Sequence, residues 1–330
     1  MSADQERRSR LLALKLRALV RDHLSLTEDP AGQTHPFSPG AAFITDDAAW
    51  FLIDGDATRS LGAVIAWSAA NDVRAPLNIM CEQNAGIVAR RAGFMTADVT
   101  VWQVDDRSVL RAEPAPHIAP STPHMHHMSF APLIESGGAE VVIEHGVVLG
   151  EVRGLEMCRV VDDAFTGEPR VEVGLGAHDR EAFAMVHGHL PTEEAMRQVI
   201  TAVLPHRSFE ADHHPFNRFG VERLLRWNAI QDPPSVGCAS LAPAEPPVVR
   251  TNVKDAVPCV AIGIDADGNT VAVTFVNGID LDAVPFALDA ADRLGASRAV
   301  LAMRSRDITR STNTLVSLAR TPLALVGLSS

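Results

Sequence analysis

The stretch VPCVAIGIDADGNTVAVTFVNG, residues 257–278, decides the predicted fold class of this chain. Two apolar runs of strand length flank the turn residues DADGN, a pattern typical of a β-hairpin. Helical spacing follows at 281–294 and 309–319, and each helix leads into a further apolar run, at 299–304 and 322–327. Because crossover helices join parallel strands, the pattern predicts a ββαβαβ module of the α/β class.

The same order of elements is predicted for residues 41–104. Asp54-Gly55 closes the second strand there, as Asn277-Gly278 does in the C-terminal module. The next strand begins 22 residues after Gly55 and 21 residues after Gly278. This agreement favours an internal duplication; the alternative is that a common unit occurs twice by coincidence.

We therefore expect an α/β protein in which two related ββαβαβ modules, N- and C-terminal, flank a mixed α+β middle domain. The predicted segments are a basic amphipathic helix and linker (1–40), the first α/β module (41–112), a Pro/His-rich linker (113–135), the middle domain (136–215), a helix and linker (216–250) and the second α/β module (251–330).

Composition excludes several classes of chemistry. The 330 residues carry a net charge of −12, and an acidic body repels a phosphate backbone, so nucleic acid is a disfavoured partner. Lys15 and Lys254 are the only lysines, and no GxxxxGK[ST] loop occurs. The four cysteines are widely spaced and predict neither disulfides nor a zinc site.

Residues 6–24 predict a basic amphipathic helix, with Leu12, Leu16 and Leu19 at helical spacing. Such a helix either binds a protein partner, supports self-association or lies on a membrane surface, or it packs on its own domain with a solvated arginine face. No apolar run reaches the roughly 20 residues that a membrane span requires, and no signal-type segment begins the chain. We therefore expect a cytoplasmic protein.

The C-terminal module consists of the strand TVAVTFVNG, a helix, the strand and helix of RAVLAMRSRDITRSTNTLVSLA, and the final strand PLALVGL. This order resembles the distal half of a restriction-endonuclease-like domain of the Mrr-type, PD-(D/E)XK group. The resemblance implies a divalent metal between two acidic side chains, with a nearby Lys that activates water. VAVTF and WFLID lack this triplet, and Lys254 precedes the hairpin, so both terminal modules are predicted to be catalytically empty.

The middle domain comes closer to the acidic pattern. GLEMCRVVD followed by RVEVG places Glu156 and Glu172 on successive predicted strands, with Gly174 where the resemblance requires Lys. His178 is the substitute base. We therefore take Glu156, Glu172 and His178 as candidate catalytic residues. Because strand alternation puts Glu156 on an apolar face, its carboxylate needs a partner, either an arginine or a metal.

Eleven of the 13 histidines lie between positions 117 and 214. His187 and His189 are candidate metal ligands if Gly188 turns the chain suitably; alternatively, His187 is a cation favoured by a helix C-terminus. His178 and His187 would lie about 13 Å apart along one helix and cannot share a zinc ion. The stretch HMHH, residues 124–127, is either an extended ligand pair or a linker.

Two functions remain open, beside a third possibility, a nucleic-acid partner, which would require the basic first helix. One is a cytoplasmic binding or assembly protein, without a cofactor, on a degenerate nuclease-like scaffold. The other is a divalent-metal-dependent hydrolase or nuclease with its site in the middle domain. The sequence does not decide whether the chain is an enzyme.

Overall fold

The computed structural model describes residues 3–175, 180, 191–211, 214–250 and 257–329. These residues form a mixed α/β fold with three sheets, which confirms the predicted class at this level. The chain divides into two compact units. Unit 1 comprises Met1–His117, Ile279–Asp289 and Thr309–Leu323, and unit 2 comprises Ile118–Gly278, Ala290–Ile308 and Ala324–Ser330.

The N-terminal elements build a six-stranded sheet in the order β1-β2-β3-β4-β5-β6. Strands β1 to β3 and the β5/β6 pair are antiparallel, whereas β3, β4 and β5 are parallel and are joined by helices. The elements are α1 (Ala3–His23), β1 (Gln33–Phe37), β2 (Gly40–Ile44), β3 (Ala49–Asp56), α2 (Leu61–Ala70), β4 (Leu77–Gln83), α3 (Ala85–Ala92), β5 (Val99–Asp105) and β6 (Ser108–Arg111).

The middle elements build a four-stranded antiparallel sheet in the order β10-β9-β8-β7. Its core includes Met157, Met196 and Ile200, so helix α6 covers the sheet. The elements are α4 (Met125–Met128), α5 (Ala131–Ser136), β7 (Glu140–Glu144), β8 (Val147–Val152), β9 (Leu155–Asp162), β10 (Pro169–Val173), α6 (Thr192–Val203) and α7 (Val221–Gln231).

The C-terminal sheet has the order β11-β12-β13-β14-β15. Strands β11, β12 and β13 are antiparallel neighbours, and β13 pairs with β14 in parallel. The elements are β11 (Ser240–Ala244), β12 (Cys259–Ile264), β13 (Thr270–Val276), α8 (Ala283–Arg293), β14 (Arg298–Arg304), α9 (Arg310–Ser317) and β15 (Leu323–Leu328).

Helix α1 confirms the predicted helix at 6–24, and it packs on the N-terminal sheet. Leu16, Leu19 and Val20 are buried in a core with Phe43 and Leu52. The burial of this face supplies most of the helix's stability, because the packing of an apolar face contributes more to helices in proteins than intrinsic helix propensity does. None of the helices in the described part of the chain combines the length and apolar character needed to span a bilayer.

Unit 1 is discontinuous in sequence, and buried carboxylates join its pieces. Asp289 of α8 accepts hydrogen bonds from Arg90 (2.7 Å) and Arg91 (2.9 Å), which lie next to each other on α3. The Asp282 carboxylate accepts from the backbone N–H of Gly62 (3.0 Å) in the first turn of α2. Asp282 thereby satisfies one of the N–H groups that a helix start leaves without an intrahelical acceptor.

Candidate functional site

Glu156, the first predicted catalytic residue, is 1% exposed on β9 and is held by arginines. Arg159 Nε and Nη2 lie 2.8 Å and 2.5 Å from Glu156 Oε1. Arg250 Nη2 donates to Glu156 Oε2 at 2.7 Å. Arg180 Nη1 lies 3.7 Å from Oε1. The sequence left either an arginine or a metal as the partner of the Glu156 carboxylate, and in the described structure the partners are arginines.

Glu172, the second predicted catalytic residue, lies opposite Arg159 in the β9/β10 register. Its side chain is 26% exposed and accepts from Arg170 Nη2 (2.8 Å) and Arg180 Nε (3.1 Å). Arg180 therefore contacts both candidate carboxylates. The structure brings Glu156 and Glu172 to one site. The cations beside Glu172 are arginines, whereas the nuclease resemblance requires a lysine at the position of Gly174.

The ionic site continues into the core of unit 2. Arg223 on α7 donates to Glu144 and Glu151, and Arg226 Nη2 donates to Glu151 at 3.1 Å. We call the whole set the arginine–glutamate cluster. Its members are Glu144, Glu151, Glu156, Glu172, Arg159, Arg170, Arg180, Arg223, Arg226 and Arg250.

The pKa values in the inner part follow from burial and charge. Burial opposes ionisation of Glu151, but the positive charges of Arg223, Arg226 and Arg250 outweigh it and lower the pKa. Burial likewise opposes the charge of Arg223, and its carboxylate partners more than compensate, which raises its pKa. The pKa of neighbouring Glu222 is raised, because burial is its largest influence.

Backbone geometry places the first turn of α7 against the turn between β8 and β9. Gly154, in the turn between these strands, has φ +75°, and a Cβ there would lie 2.4 Å from the Arg223 carbonyl group. Arg207 is fully buried and donates to four carbonyls, those of Arg153, Phe216, Phe219 and Gly220. Burial without a hydrogen-bonded carboxylate lowers the Arg207 pKa to about 10.

Several guanidinium N–H groups of the cluster remain available as donors. Arg180 Nη1, Arg223 Nε, and Arg250 Nε and Nη1 are buried and have no hydrogen-bond acceptor in the described part of the chain. Buried donors without acceptors are rare in folded proteins, and ordered water or an anion commonly satisfies them. The cluster therefore has a surplus of donors over acceptors.

The described residues contain no group of three or more His, Cys, Asp or Glu side chains placed to hold a metal ion. Both Glu156 oxygens already accept from guanidinium groups, and these positive charges would repel a metal cation. His178, His187, His189 and Lys254 lie outside the described residues. In sequence, His178 precedes Arg180 by two positions and Lys254 follows Arg250 by four.

The HMHH stretch is helical rather than extended. His124 precedes α4 and its Nδ1 accepts from the His126 N–H at 3.4 Å. His127 Nε2 lies 2.8 Å from Asp162 Oδ1. The imidazoles at 126 and 127 thus belong to a short surface helix, because a side-chain N-cap favours helix initiation here.

Ion pairs between α1 and the first module were missed from the sequence. Lys15 Nζ lies 2.5 Å from Glu82, and Arg8 Nε lies 2.6 Å from Asp54. Asp54 and Glu82 lie at the carboxyl ends of the parallel strands β3 and β4. Each is two positions after a residue that packs under α1, Leu52 on β3 and Met80 on β4. The period of two along a strand was the signal that could have placed them there.

A surface cleft of about 580 Å³ lies in unit 1, between the end of α3 and the start of β5. Its lining includes Ala89, Ala92 and Gly93, together with the basic side chains Arg111 and Arg320. No predicted site residue lines it. We assign the candidate site to the arginine–glutamate cluster because charged groups converge there with defined geometry, whereas the cleft lining is mainly small side chains.

Comparison with known proteins adds no relative. No protein-family model matches the chain, and neither the curated proteins nor the solved structures include a significant match.

Proposed function

We propose that this chain is a binding protein whose ligand carries an oxyanion, a carboxylate or phosphate group, bound at the outer end of the arginine–glutamate cluster. The observation that carries the proposal is the surplus of buried guanidinium donors. The arginines at 159, 170, 180 and 250 surround Glu156 and Glu172, and Arg180 Nη1, Arg250 Nε and Arg250 Nη1 are buried without an acceptor in the described part of the chain.

The geometry also suits an oxyanion. Guanidinium groups bind carboxylate and phosphate through two parallel N–H donors, whereas the ammonium group of lysine has no such planar pair of donors. Arg170 is 52% exposed, and its neighbour Arg180 leads from the surface towards the buried Glu156. An incoming oxyanion replaces the Glu172 carboxylate as the hydrogen-bond acceptor for Arg170 and Arg180.

The scaffold is a further part of this proposal. The orders β2-β3-α2-β4-α3-β5 and β12-β13-α8-β14-α9-β15 correspond, which supports an internal duplication of a ββαβαβ module. On this reading the fold is a degenerate restriction-endonuclease-like scaffold in a cytoplasmic protein. Its partner is another protein or a second copy, contacted through α1, and the net charge disfavours nucleic acid.

Isothermal titration of the full chain with inorganic phosphate and with succinate tests the ligand class. We expect heat of binding that Arg170→Ala and Arg180→Gln each weaken at least tenfold, or about 1.4 kcal/mol. Arg298→Ala is the matched control, because Arg298 is also half-exposed and paired to one carboxylate, Asp265. The proposal is overturned if neither phosphate nor succinate binds, or if Arg298→Ala weakens binding as much as Arg170→Ala and Arg180→Gln do.

The alternative, a divalent-metal-dependent hydrolase, is tested separately. Metal analysis of tag-free, dialysed protein is expected to show no stoichiometric divalent ion, because guanidinium groups occupy the Glu156 carboxylate. Stoichiometric metal that disappears in Glu156→Gln would instead support a metal site that includes His178, His187 or His189.

A further inference from the structure

Helix α1 has a second apolar stripe on the side opposite its buried face. Leu11 and Leu14 are 58% and 60% exposed, and Ala18 continues their line one turn later. Residues spaced by three and four positions share one face of a helix, whereas Leu16, Leu19 and Val20 project from the other side into the core. We call the outer stripe, with Arg7 and Arg10, the outer face of α1.

The outer face is basic as well as apolar. Most other basic residues of α1 are neutralised within unit 1, as in the Arg8–Asp54, Lys15–Glu82 and Arg17–Asp29 pairs. Arg7 and Arg10 are exposed and form no ion pair with any residue that the structure describes. Two exposed leucines flanked by two unpaired arginines are therefore available to a partner.

The turn between β9 and β10 presents a complementary surface. Phe165 is 99% exposed at the tip of this hairpin. The turn is well ordered, because Asp163 Oδ1 accepts from the N–H groups of Phe165 (2.9 Å) and Thr166 (3.0 Å), while Gly167 N–H donates to Asp163 O (2.8 Å). The aromatic ring is thus held out in solvent by a defined backbone.

The hairpin tip is acidic. Asp162 and Glu168 are exposed on either side of Phe165, and the backbone N–H groups of Thr166 and Phe165 lower the pKa of Asp163. Asp162 lies beside His127 and Asp163 beside Arg170, so the three carboxylates outnumber the one permanent cation next to them. Exposed aromatic residues are common centres of protein interfaces, and charge complementarity selects the partner surface. An acidic surface centred on a phenylalanine fits a basic surface centred on leucines.

We propose that the hairpin tip of one copy of this chain binds the outer face of α1 on a second copy. Phe165 packs between Leu11 and Leu14 of the other copy, and Arg7 and Arg10 face the acids of the tip. One phenylalanine, two leucines and a few charged side chains are far fewer than the roughly 20–30 residues a side of a standard interface. The association is accordingly weak, with a Kd of about micromolar or higher.

Sedimentation equilibrium over a wide range of protein concentrations tests this contact. We expect self-association that increased salt weakens, because the arginine–carboxylate pairs are screened. Phe165→Ser and the double variant Leu11→Glu/Leu14→Glu each abolish it. Leu110→Ser, which alters an equally exposed leucine on β6, leaves it unchanged.

Mixing the two defective variants gives the decisive result. Phe165→Ser retains the outer face of α1, and the double variant retains the hairpin tip, so an equimolar mixture regains one intact contact and associates. The proposal is overturned if the parent chain is monomeric at all concentrations. It is also overturned if only the α1 variant loses association, or if the mixture remains monomeric, since α1 then contacts something other than the hairpin.

Discussion

Arg250 and Glu156 are joined by a 2.7 Å hydrogen bond from Nη2 to Oε2, although 94 positions separate them in the sequence. Both side chains are buried. A buried charge is costly unless it is paired, so each residue removes the penalty that the other would incur. This long-range pair makes Glu156 the point at which β9 meets the chain segment before residue 251.

The charge of Glu156 is expected to contribute more to the free energy of unfolding than the charge of Glu172. Glu156→Gln keeps the shape but leaves arginines uncompensated in the core, which lowers the free energy of unfolding by about 3 kcal/mol or more. Glu172→Gln affects a partly exposed ion pair and costs below about 1 kcal/mol. Urea denaturation measures both, and equal losses would contradict the role assigned to burial.

Asp282 is expected to make stability depend on pH. Burial, aided by the nearby charge of Asp280, raises the pKa of Asp282 to about 7. The folded state therefore holds this proton more tightly than the unfolded chain does. The resulting stabilisation is present below about pH 4 and is lost as the pH rises through about 7.

Asp282→Asn tests this expectation, because asparagine still accepts from Gly62 N–H but does not titrate. We expect the variant and the parent to be similar in stability near pH 4. Towards pH 7 the variant becomes more stable than the parent by on the order of a few kcal/mol. Urea unfolding at several pH values measures the difference, and parallel curves for the two proteins would refute the assignment.

Two glycines of similar backbone conformation are expected to respond differently to alanine. Gly154 has φ +75° and Gly167 has φ +70°, so alanine strains either turn by about 1 kcal/mol. At Gly154 the added Cβ also meets the Arg223 backbone, whereas nothing lies within 4 Å at Gly167. Gly154→Ala should cost roughly a further 1–3 kcal/mol in thermal unfolding. Equal losses would show that α7 shifts freely.

The four cysteines are expected to be inert while the protein is folded. Burial raises the pKa of Cys81, Cys158 and Cys259 to about 12 and also raises that of Cys238. The thiolate is the reactive form, so little is present at pH 8. A thiol reagent such as Ellman's reagent should react with all four only after denaturation. Rapid reaction of a folded thiol would contradict the burial described.

Local periodicity predicted the inner elements well but missed three of the six edge strands in the described sheets. Helix α1 and the strands under it have clear apolar patterns, because one face of each is buried. The strands β1, β6 and β11 were missed, and each lies at the edge of its sheet. Edge strands bury less surface and tolerate proline, as in QTHPF (33–37) and SLAPA (240–244), so no apolar run marks them.

Smaller differences have local causes. The N-cap of α6 is Pro191, and Thr192, a residue type that commonly occupies the N-cap, is instead the first helical residue. Proline is compatible with a helix start, since its missing N–H is not needed there. The helices α4 and α5 lie mostly within the predicted linker at 113–135 and are too short for periodicity to reveal.

The candidate site was predictable only in part. Strand alternation indicated that Glu156 is buried and needs a partner, and the succession of strands indicated that Glu172 lies near it. Arg159, three positions from Glu156, lies within reach of such local reasoning, but Arg250 does not, because it comes from a segment 94 positions away and carries no local motif. Long-range ion pairs depend on the tertiary fold, which a single sequence does not reveal.

The discontinuity of unit 1 has a consequence for synthesis on the ribosome. Ile279 follows His117 by 279 − 117 = 162 positions, so at about 5–20 residues per second the first piece emerges roughly 10–30 s before the second. During that interval Arg90 and Arg91 lack Asp289, and the first turn of α2 lacks Asp282. The nascent chain therefore passes through an N-terminal intermediate in which these buried donors have not yet met their carboxylate acceptors.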